Sequence, residues 1–295
     1  MHNHSHSASQ ENIGARFIWG IALNLIFVGV ELTYGYTQKS LSLLADAWHN
    51  LGDVAGLIIS LIAIKMAEKL PTKIYTYGFS KATILASLAN CLLLFIAISS
   101  MGYEAIQRFS EPNDAPGTTI SWVAGIGVII NTLTALIFMK NDEMNSKAAF
   151  LHMAADAGVS LAVVIGGIVI SYTNYTFIDP LLGLLICFVI FIGTWKLFRD
   201  SLRLSLDGVP EGVDIEDVTE KIKSIPGVIN VDHLHIWALS TTRNALTANL
   251  ILQNDLNSTQ IEDIKNQVRE KVEIHNNVHH SILETSHLEH GHRHD

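Results

Sequence analysis

His49-Asn50-Leu51-Gly52-Asp53 and His152-Met153-Ala154-Ala155-Asp156 decide how this chain is read. Each is a histidine followed four residues later by an aspartate, and each lies inside a long apolar run. On an α-helix, positions i and i+4 share one face about one turn apart. Each stretch therefore aims an imidazole and a carboxylate in the same direction from a helix apolar enough for a membrane. Two such halves facing one another supply four N/O ligands, a number that suits tetrahedral Zn²⁺. The pattern points to metal transport.

The surroundings agree. The chain is 49% hydrophobic and only 16% charged, with the charge concentrated after Asp207. That is the composition of an integral membrane protein with a polar tail. A net charge of −9 argues against a nucleic-acid partner. Cys91 and Cys187 are the only cysteines and stand alone in apolar segments, so they make neither a disulfide framework nor a thiolate zinc site. Met1 to Glu11 is polar and lacks the basic, apolar and cleavage regions of a signal peptide, so the first helix is expected to be retained.

Six apolar segments, near residues 17–36, 40–67, 82–107, 118–139, 146–172 and 178–198, are long enough for a hydrocarbon core of about 30 Å. With both termini in the cytoplasm, the inner loops collect Arg16, Lys65, Lys69, Lys73, Lys81, Lys140, Lys147, Lys196, Arg199 and Arg203, leaving Lys39 and Arg108 outside. The positive-inside rule therefore predicts both termini inside. After Asp207 the pattern changes to helix 213–224, strands 228–239 and 246–253, helix 258–274 with Ser258 as N-cap, and strand 278–285. The expected architecture is a six-helix α-helical membrane protein carrying an α-β-β-α-β domain of α+β class. Its divisions are a His-rich tail at 1–12, a transmembrane domain at 13–207, the α+β domain at 208–286 and a second His-rich tail at 287–295. The tail histidines, including His2, His4 and His6, either collect Zn²⁺ weakly or only keep the tails polar.

The deep ionisable groups of the first five segments are Glu31, Asp46, His49, Asp53, His152 and Asp156. None has a lysine or arginine at comparable depth. Buried carboxylates are costly unless paired or protonated, so the countercharge is a mobile cation or a proton. His49 and Asp53 fall roughly 13 and 20 Å from the outer end of their helix, and His152 and Asp156 roughly 9 and 15 Å from the inner end of theirs. Opposite chain directions let the pairs meet near the midplane. Gly52 with Gly56, and Ala154 with Gly158, form small-xxx-small patterns expected to bring these two helices close. Asp46, Asn24, Asn90 and Asn131 read as interhelical hydrogen bonds or a hydrated vestibule. Glu31, with Asp46, either lines the outer access path or makes an ordinary hydrogen bond.

A family resemblance then becomes specific. Ser40 to Asp53 (SLSLLADAWHNLGD), Thr76-Tyr77-Gly78, the second His-x-x-x-Asp motif and Asp232-His233-Leu234-His235-Ile236-Trp237 resemble the cation diffusion facilitator family. The likeness spans nearly the whole chain and is greatest to the zinc/cobalt/cadmium-resistance branch and the vesicular zinc transporters. It implies a homodimer in the lipid bilayer, Zn²⁺ efflux against H⁺ and a metallochaperone-like, ferredoxin-like cytoplasmic domain. Residue by residue, it maps the transport site onto His49, Asp53, His152 and Asp156. The loop from Glu68 to Tyr77 lacks histidine, so no metal is expected there, unlike some members. A regulatory site from Asp232, His233, His235 or His287 is an alternative to plain hydrogen bonding by His235. His279 and His280 are expected on opposite faces of a strand, so that at most one joins a site.

The reading is therefore a proton-coupled Zn²⁺ exporter working by alternating access, in a bacterial cytoplasmic membrane. Alternatives are a broader Zn/Co/Cd exporter, an intramembrane zinc hydrolase and a membrane metal sensor. A hydrolase needs an open coordination position and a general base; four protein ligands close the shell, and no HExxH occurs.

Overall fold

The computed structural model describes residues 22–110, 116–139, 144–276 and 278–287. Helix α1 covers residues 22–37, followed by α2 (Leu41–Ala67), α3 (Ala82–Ser110), α4 (Gly117–Met139), α5 (Met144–Thr173) and α6 (Ile178–Ser205). Then come α7 (Ile215–Lys223), β1 (Val228–Ala238), β2 (Asn244–Leu252), α8 (Ser258–Asn276) and β3 (Val278–His287). Among the described residues, the five helices α2 to α6 are long and apolar enough to cross a bilayer. The expected first span is described from residue 22 as α1, and its earlier residues lie outside the described ones, as do most of both His-rich tails. The chain forms two compact units, one of residues 1–58 and 90–195 and one of 59–89 and 196–295, so the division runs across α2, α3 and α6.

In the first unit the usual polarity is inverted. Ile58 of α2, Leu92 and Ile96 of α3 and Phe188 of α6 are exposed, whereas Glu31, Asp46, Asn50, Asn131 and Ser160 are fully buried. That arrangement suits a solvent of hydrocarbon outside and polar contacts within. The apolar core joins Leu41, Leu44, Ile98, Met101, Ile120, Val163 and Ile186. Small residues set the crossings. A side chain at Gly117 or Gly167 would run into backbone of the other's helix, so α4 and α5 touch main chain to main chain. Ser121 Oγ spans the same crossing, donating to Gly117 O at 3.0 Å and Val164 O at 3.2 Å. Left-handed backbone marks two of the connections between helices: Lys39 (φ 53°) between α1 and α2, and Asn174 (φ 55°) after α5.

The second unit contains a three-stranded sheet in the order β1-β2-β3, with β1/β2 antiparallel and β2/β3 parallel through the α8 crossover. Its core gathers Val218 and Ile222 of α7, one turn apart, with Ile236, Leu246, Leu250, Val268 and Val272. Asp214 caps α7, its carboxylate accepting from Glu216 N at 2.9 Å and Asp217 N at 3.3 Å. The cap of α8 is Asn257 rather than Ser258. Asn257 Oδ1 accepts from Gln260 N at 3.0 Å while Gln260 Oε1 accepts from Asn257 N at 2.9 Å, a reciprocal capping box. The β1–β2 turn meets the α2–α3 connection, where Arg243 donates to Ser80 Oγ at 2.7 Å and Thr241 N to Thr83 Oγ1 at 3.2 Å.

Candidate metal centre

Local sequence sets up each half of the centre. The α2 half, His49 and Asp53, lies two to three turns into a helix whose first residues are locked. Asp179, from the first turn of α6, is 2% exposed and accepts hydrogen bonds from Ser40 Oγ (2.7 Å), Leu41 N (2.7 Å), Ser42 N (3.2 Å) and Ser42 Oγ. This carboxylate serves as an N-cap supplied by another helix, satisfying donors that have no intrahelical acceptor. The α5 half, His152 and Asp156, sits on the helix held against α4 at Gly167.

The four side chains meet. His152 Nε2 is 3.0 Å from Asp53 Oδ2, and His49 Nε2 is 3.3 Å from Asp156 Oδ1. The pairs along each helix are longer, 3.8 Å for His49–Asp53 and 3.7 Å for His152–Asp156. Each imidazole thus leans toward the carboxylate of the opposite helix. The rings of His49 and His152 stand edge to face, with centroids 6.2 Å apart. Ligand atoms of His49, Asp53 and Asp156 all lie within 4.8 Å of one another. Asp156 Oδ2 and His49 Nδ1 are buried without a hydrogen-bond partner. Side-chain exposure rises from 3% at Asp156 through 17% at His49 and 24% at Asp53 to 44% at His152. The centre is therefore closed toward Asp156 and open toward the C-terminal half of α2 and the N-terminal half of α5.

The glycines distribute differently from expectation. A side chain at Gly52 would meet Leu94, and one at Gly56 would meet Asn90, whereas at Gly158 nothing lies within 4 Å. The small-residue stripe of α2 faces α3 and does not bring α2 to α5.

The other residues singled out by sequence fall in two places. Glu31, Asp46 and Asn50 form a buried polar group beside the centre, with Asn50 Nδ2 donating to Glu31 Oε2 at 3.3 Å and Ser160 Oγ to Asp46 Oδ2 at 2.9 Å. Asp46 thus makes an interhelical hydrogen bond. The candidate regulatory residues do not converge within the sheet. Asp232 pairs across to Asn249 and His235 to Thr247, while His287 pairs with Leu252, two strands away and displaced along the sheet by roughly 10 to 17 Å. His233 and His235 are both exposed, with His233 in a bulge at φ 52°. His279 and His280 are both exposed as well, since His279 is the extra residue where the β2–β3 register shifts between Val278 and His280; the His280 ring packs edge-on against Tyr77 at 5.4 Å.

Asp179, which braces the start of the helix that carries His49 and Asp53, is a residue that sequence reasoning missed. It stands one residue inside the sixth apolar segment, one of the charges that the sequence alone does not pair with any other helix. The available signal was Ser40-Leu41-Ser42, a buried helix start whose two backbone donors need an acceptor.

Helices long and apolar enough to cross a membrane carry a cluster of two imidazoles and two carboxylates, of which His49, Asp53 and Asp156 stand close enough together to hold a metal ion. Comparison with known proteins gives the family. The cation efflux transmembrane domain matches residues 17–204, and the cytoplasmic domain of cation efflux proteins matches residues 210–288. The chain belongs to the cation efflux family, known also as the cation diffusion facilitators, and is a multi-pass membrane protein. Along 295 residues it is 28% identical to the cadmium, cobalt and zinc/H(+)-K(+) antiporter of Bacillus subtilis, covering 99% of this chain and 93% of the relative. It is 32% identical to the zinc transporter ZitB of Escherichia coli over 243 residues, covering 80% and 78%. Identity is also 32% to the metal cation efflux system protein CzcD of Cupriavidus metallidurans over 277 residues, covering 92% and 87%.

Proposed function

We propose that this protein exports Zn²⁺ from the cytoplasm in exchange for protons, as a homodimer in a bacterial cytoplasmic membrane, with His49, Asp53, His152 and Asp156 as its transport site. The single observation carrying the reading is the set of cross-helix and along-helix separations, 3.0, 3.3, 3.7 and 3.8 Å. A tetrahedral ion with ligand bonds of about 2.0–2.1 Å needs ligand atoms roughly 3.3–3.4 Å apart. The four separations bracket that value; His152 stands outside the trio whose ligand atoms all lie within 4.8 Å of one another, so its ring would move inward to complete the set. Two neutral imidazoles and two carboxylates carry two negative charges, which Zn²⁺ cancels, so no net charge is left at membrane depth.

The same geometry supports exchange. Without metal, each imidazole faces the carboxylate of the other helix, and a proton on each histidine would balance the site as well as Zn²⁺ does. Zn²⁺ needs unprotonated nitrogen, so its arrival displaces those protons. The exposure gradient, with both termini cytoplasmic, corresponds to a site open to the cytoplasm and closed outward. Alternating access then consists of α2 and α5 reversing that gradient. Residues 208–286 act as the cytoplasmic domain and pair the two protomers. The name of the Bacillus subtilis relative favours a substrate range that reaches Co²⁺ and Cd²⁺.

The test is Zn²⁺ flux in proteoliposomes with an internal pH dye. Replacing any one of the four ligands with Ala should abolish flux, and zinc entry should draw protons out. Near-normal flux in Asp156→Ala would falsify the four-ligand site, and flux indifferent to a collapsed pH gradient would replace antiport with facilitated diffusion.

A further inference from the structure

The connection from α2 to α3 exposes apolar side chains that the bundle does not account for. It lies past the end of the α2 span, yet Leu70 and Ile74 are each 83% exposed and Tyr75 is exposed with them. Large apolar groups held so openly mark a surface that meets another phase or partner. The loop keeps its shape by its own bonds. Thr72 N donates to Tyr75 O at 3.0 Å, and Thr72 Oγ1 accepts from Ile74 N at 3.3 Å and Tyr75 N at 3.0 Å. Gly78, at φ 67°, donates its N–H to Tyr75 O at 2.9 Å, and a Cβ there would stand 3.2 Å from Lys69 O. The rings of Tyr75 and Phe79 pack with centroids 4.7 Å apart. Fixed from within, the loop turns Leu70 and Ile74 outward.

Position and charge say what covers them. The loop continues α2, a helix long and apolar enough to cross a bilayer, so it emerges at a membrane surface. Arg243 and Thr241 of the β1–β2 turn bond to Ser80 and Thr83, and His280 of β3 meets Tyr77, which puts the loop on the side of the cytoplasmic domain. Lys65, Lys69 and Lys73 recur every four residues and are all exposed, with Glu68 the one acid between Lys65 and Tyr77. None of the three lysines belongs to a described ion pair. In a chain of net charge −9 they make a local excess of positive charge. Anionic headgroups attract such clusters, lysine stems lie along hydrocarbon while the ammonium stays wet, and tyrosine favours the headgroup level. A second copy meeting this loop face to face would instead set lysine against lysine.

We propose that residues 65–75 are a docking surface for the anionic lipids of the cytoplasmic leaflet, with Leu70 and Ile74 seated at the acyl boundary and Lys65, Lys69 and Lys73 among the phosphates. The surface stands at the end of the helix that carries His49 and Asp53, so the leaflet holds one end of the element that supplies half of the metal centre.

The test places full-length protein in nanodiscs of phosphatidylcholine, alone or mixed with phosphatidylglycerol. Amide exchange of residues 72–75 in the unaltered protein needs no variant to fold, and it should slow when phosphatidylglycerol is present. Each lysine near an anionic surface contributes about a fivefold preference, so replacing Lys69 and Lys73 together with Gln should cut the phosphatidylglycerol-dependent protection about 25-fold and leave exchange in phosphatidylcholine nearly unchanged. Ile74→Cys, labelled with a fluorophore, reports the apolar contact; Cys91 and Cys187 are buried and compete little for the label. Lipid spin-labelled near its carbonyls should quench that fluorophore more strongly than aqueous iodide does. Exchange that is equal in the two lipids, or a lipid preference that survives the loss of both lysines, overturns the proposal. So does a fluorophore shielded from lipid and iodide alike, the result expected if a second copy or another segment of the chain covers the loop.

Discussion

Removing Asp179 should loosen the start of α2 without touching a ligand. In Asp179→Ala, the N–H groups of Leu41 and Ser42 lose their acceptor where Ser40, Leu41 and Ser42 are all 0% exposed. An unpaired buried donor costs about 1–3 kcal/mol, so two cost roughly 2–6 kcal/mol. Part of that is offset because the variant no longer buries a charge, leaving a net loss of roughly 3 kcal/mol. Asp179→Asn keeps one acceptor oxygen and should lose roughly 1 kcal/mol. Amide hydrogen exchange reads the effect locally. A loss of 3 kcal/mol in local opening corresponds to about 100-fold faster exchange in the first two turns of α2. Zinc affinity should fall in the same order, Ala below Asn below the unaltered protein, because His49 and Asp53 ride on that helix. Exchange within threefold of the unaltered protein in Asp179→Ala, or an Asn variant as affected as the Ala one, would refute this account of the brace.

Zn²⁺ should be transported in preference to Mg²⁺ and Mn²⁺, and His49→Asp should harden the site and widen its range; competitive uptake from mixed metals measures both. Gly52→Leu should disrupt packing against Leu94 and cost about 1–3 kcal/mol, whereas Gly158→Ala, where nothing lies within 4 Å, should be tolerated; thermal melts in detergent compare them. Hydrogen bonds with Glu216 and the Asp217 backbone hold the Asp214 carboxyl below the usual aspartate range. The stabilisation of α7 by this cap is therefore present above that range and lost as pH falls through the lowered value. Amide exchange in α7 should accelerate only in strong acid, and in Asp214→Ala it should already be fast at neutral pH.

The meeting of the two His-x-x-x-Asp motifs was legible because the pattern is local. A histidine and an aspartate at i and i+4 fix a common face without knowledge of any other helix, and duplication in an apolar context supplies the rest. Helix positions followed from bilayer thickness, and the α+β order of the C-terminal domain from a change of period after Asp207. What escaped reading was relational. Asp179 has meaning only beside Ser40 to Ser42, which are 137 to 139 residues distant. The glycine stripe of α2 announced close packing but not its partner, because period and spacing describe one helix and the choice between α3 and α5 belongs to the bundle. Ser258 looked like a cap by residue type; Asn257 and Gln260 won because together they satisfy two donors reciprocally. The register shift that leaves both His279 and His280 exposed breaks the alternation on which a two-face argument depends.

The distance in sequence between the partners of α2 bears on how the chain enters a membrane. Emerging from the ribosome, α2 carries Asp46 and Asp53, each costing about 2.5–3.5 kcal/mol at mid-bilayer, against leucines and isoleucines worth about 0.3–0.6 kcal/mol apiece. The ten Leu and Ile of this helix therefore roughly balance its two acids. Asp156 is still 107 residues away from His49, and Asp179 is farther. Only α1 has already been made, and its Glu31 reaches Asn50 across 19 residues. Among the described residues, the side-chain hydrogen bond that joins the first two helices as they enter is Asn50 to Glu31. That contact is available to the hairpin before Asp156, on α5, has been synthesised.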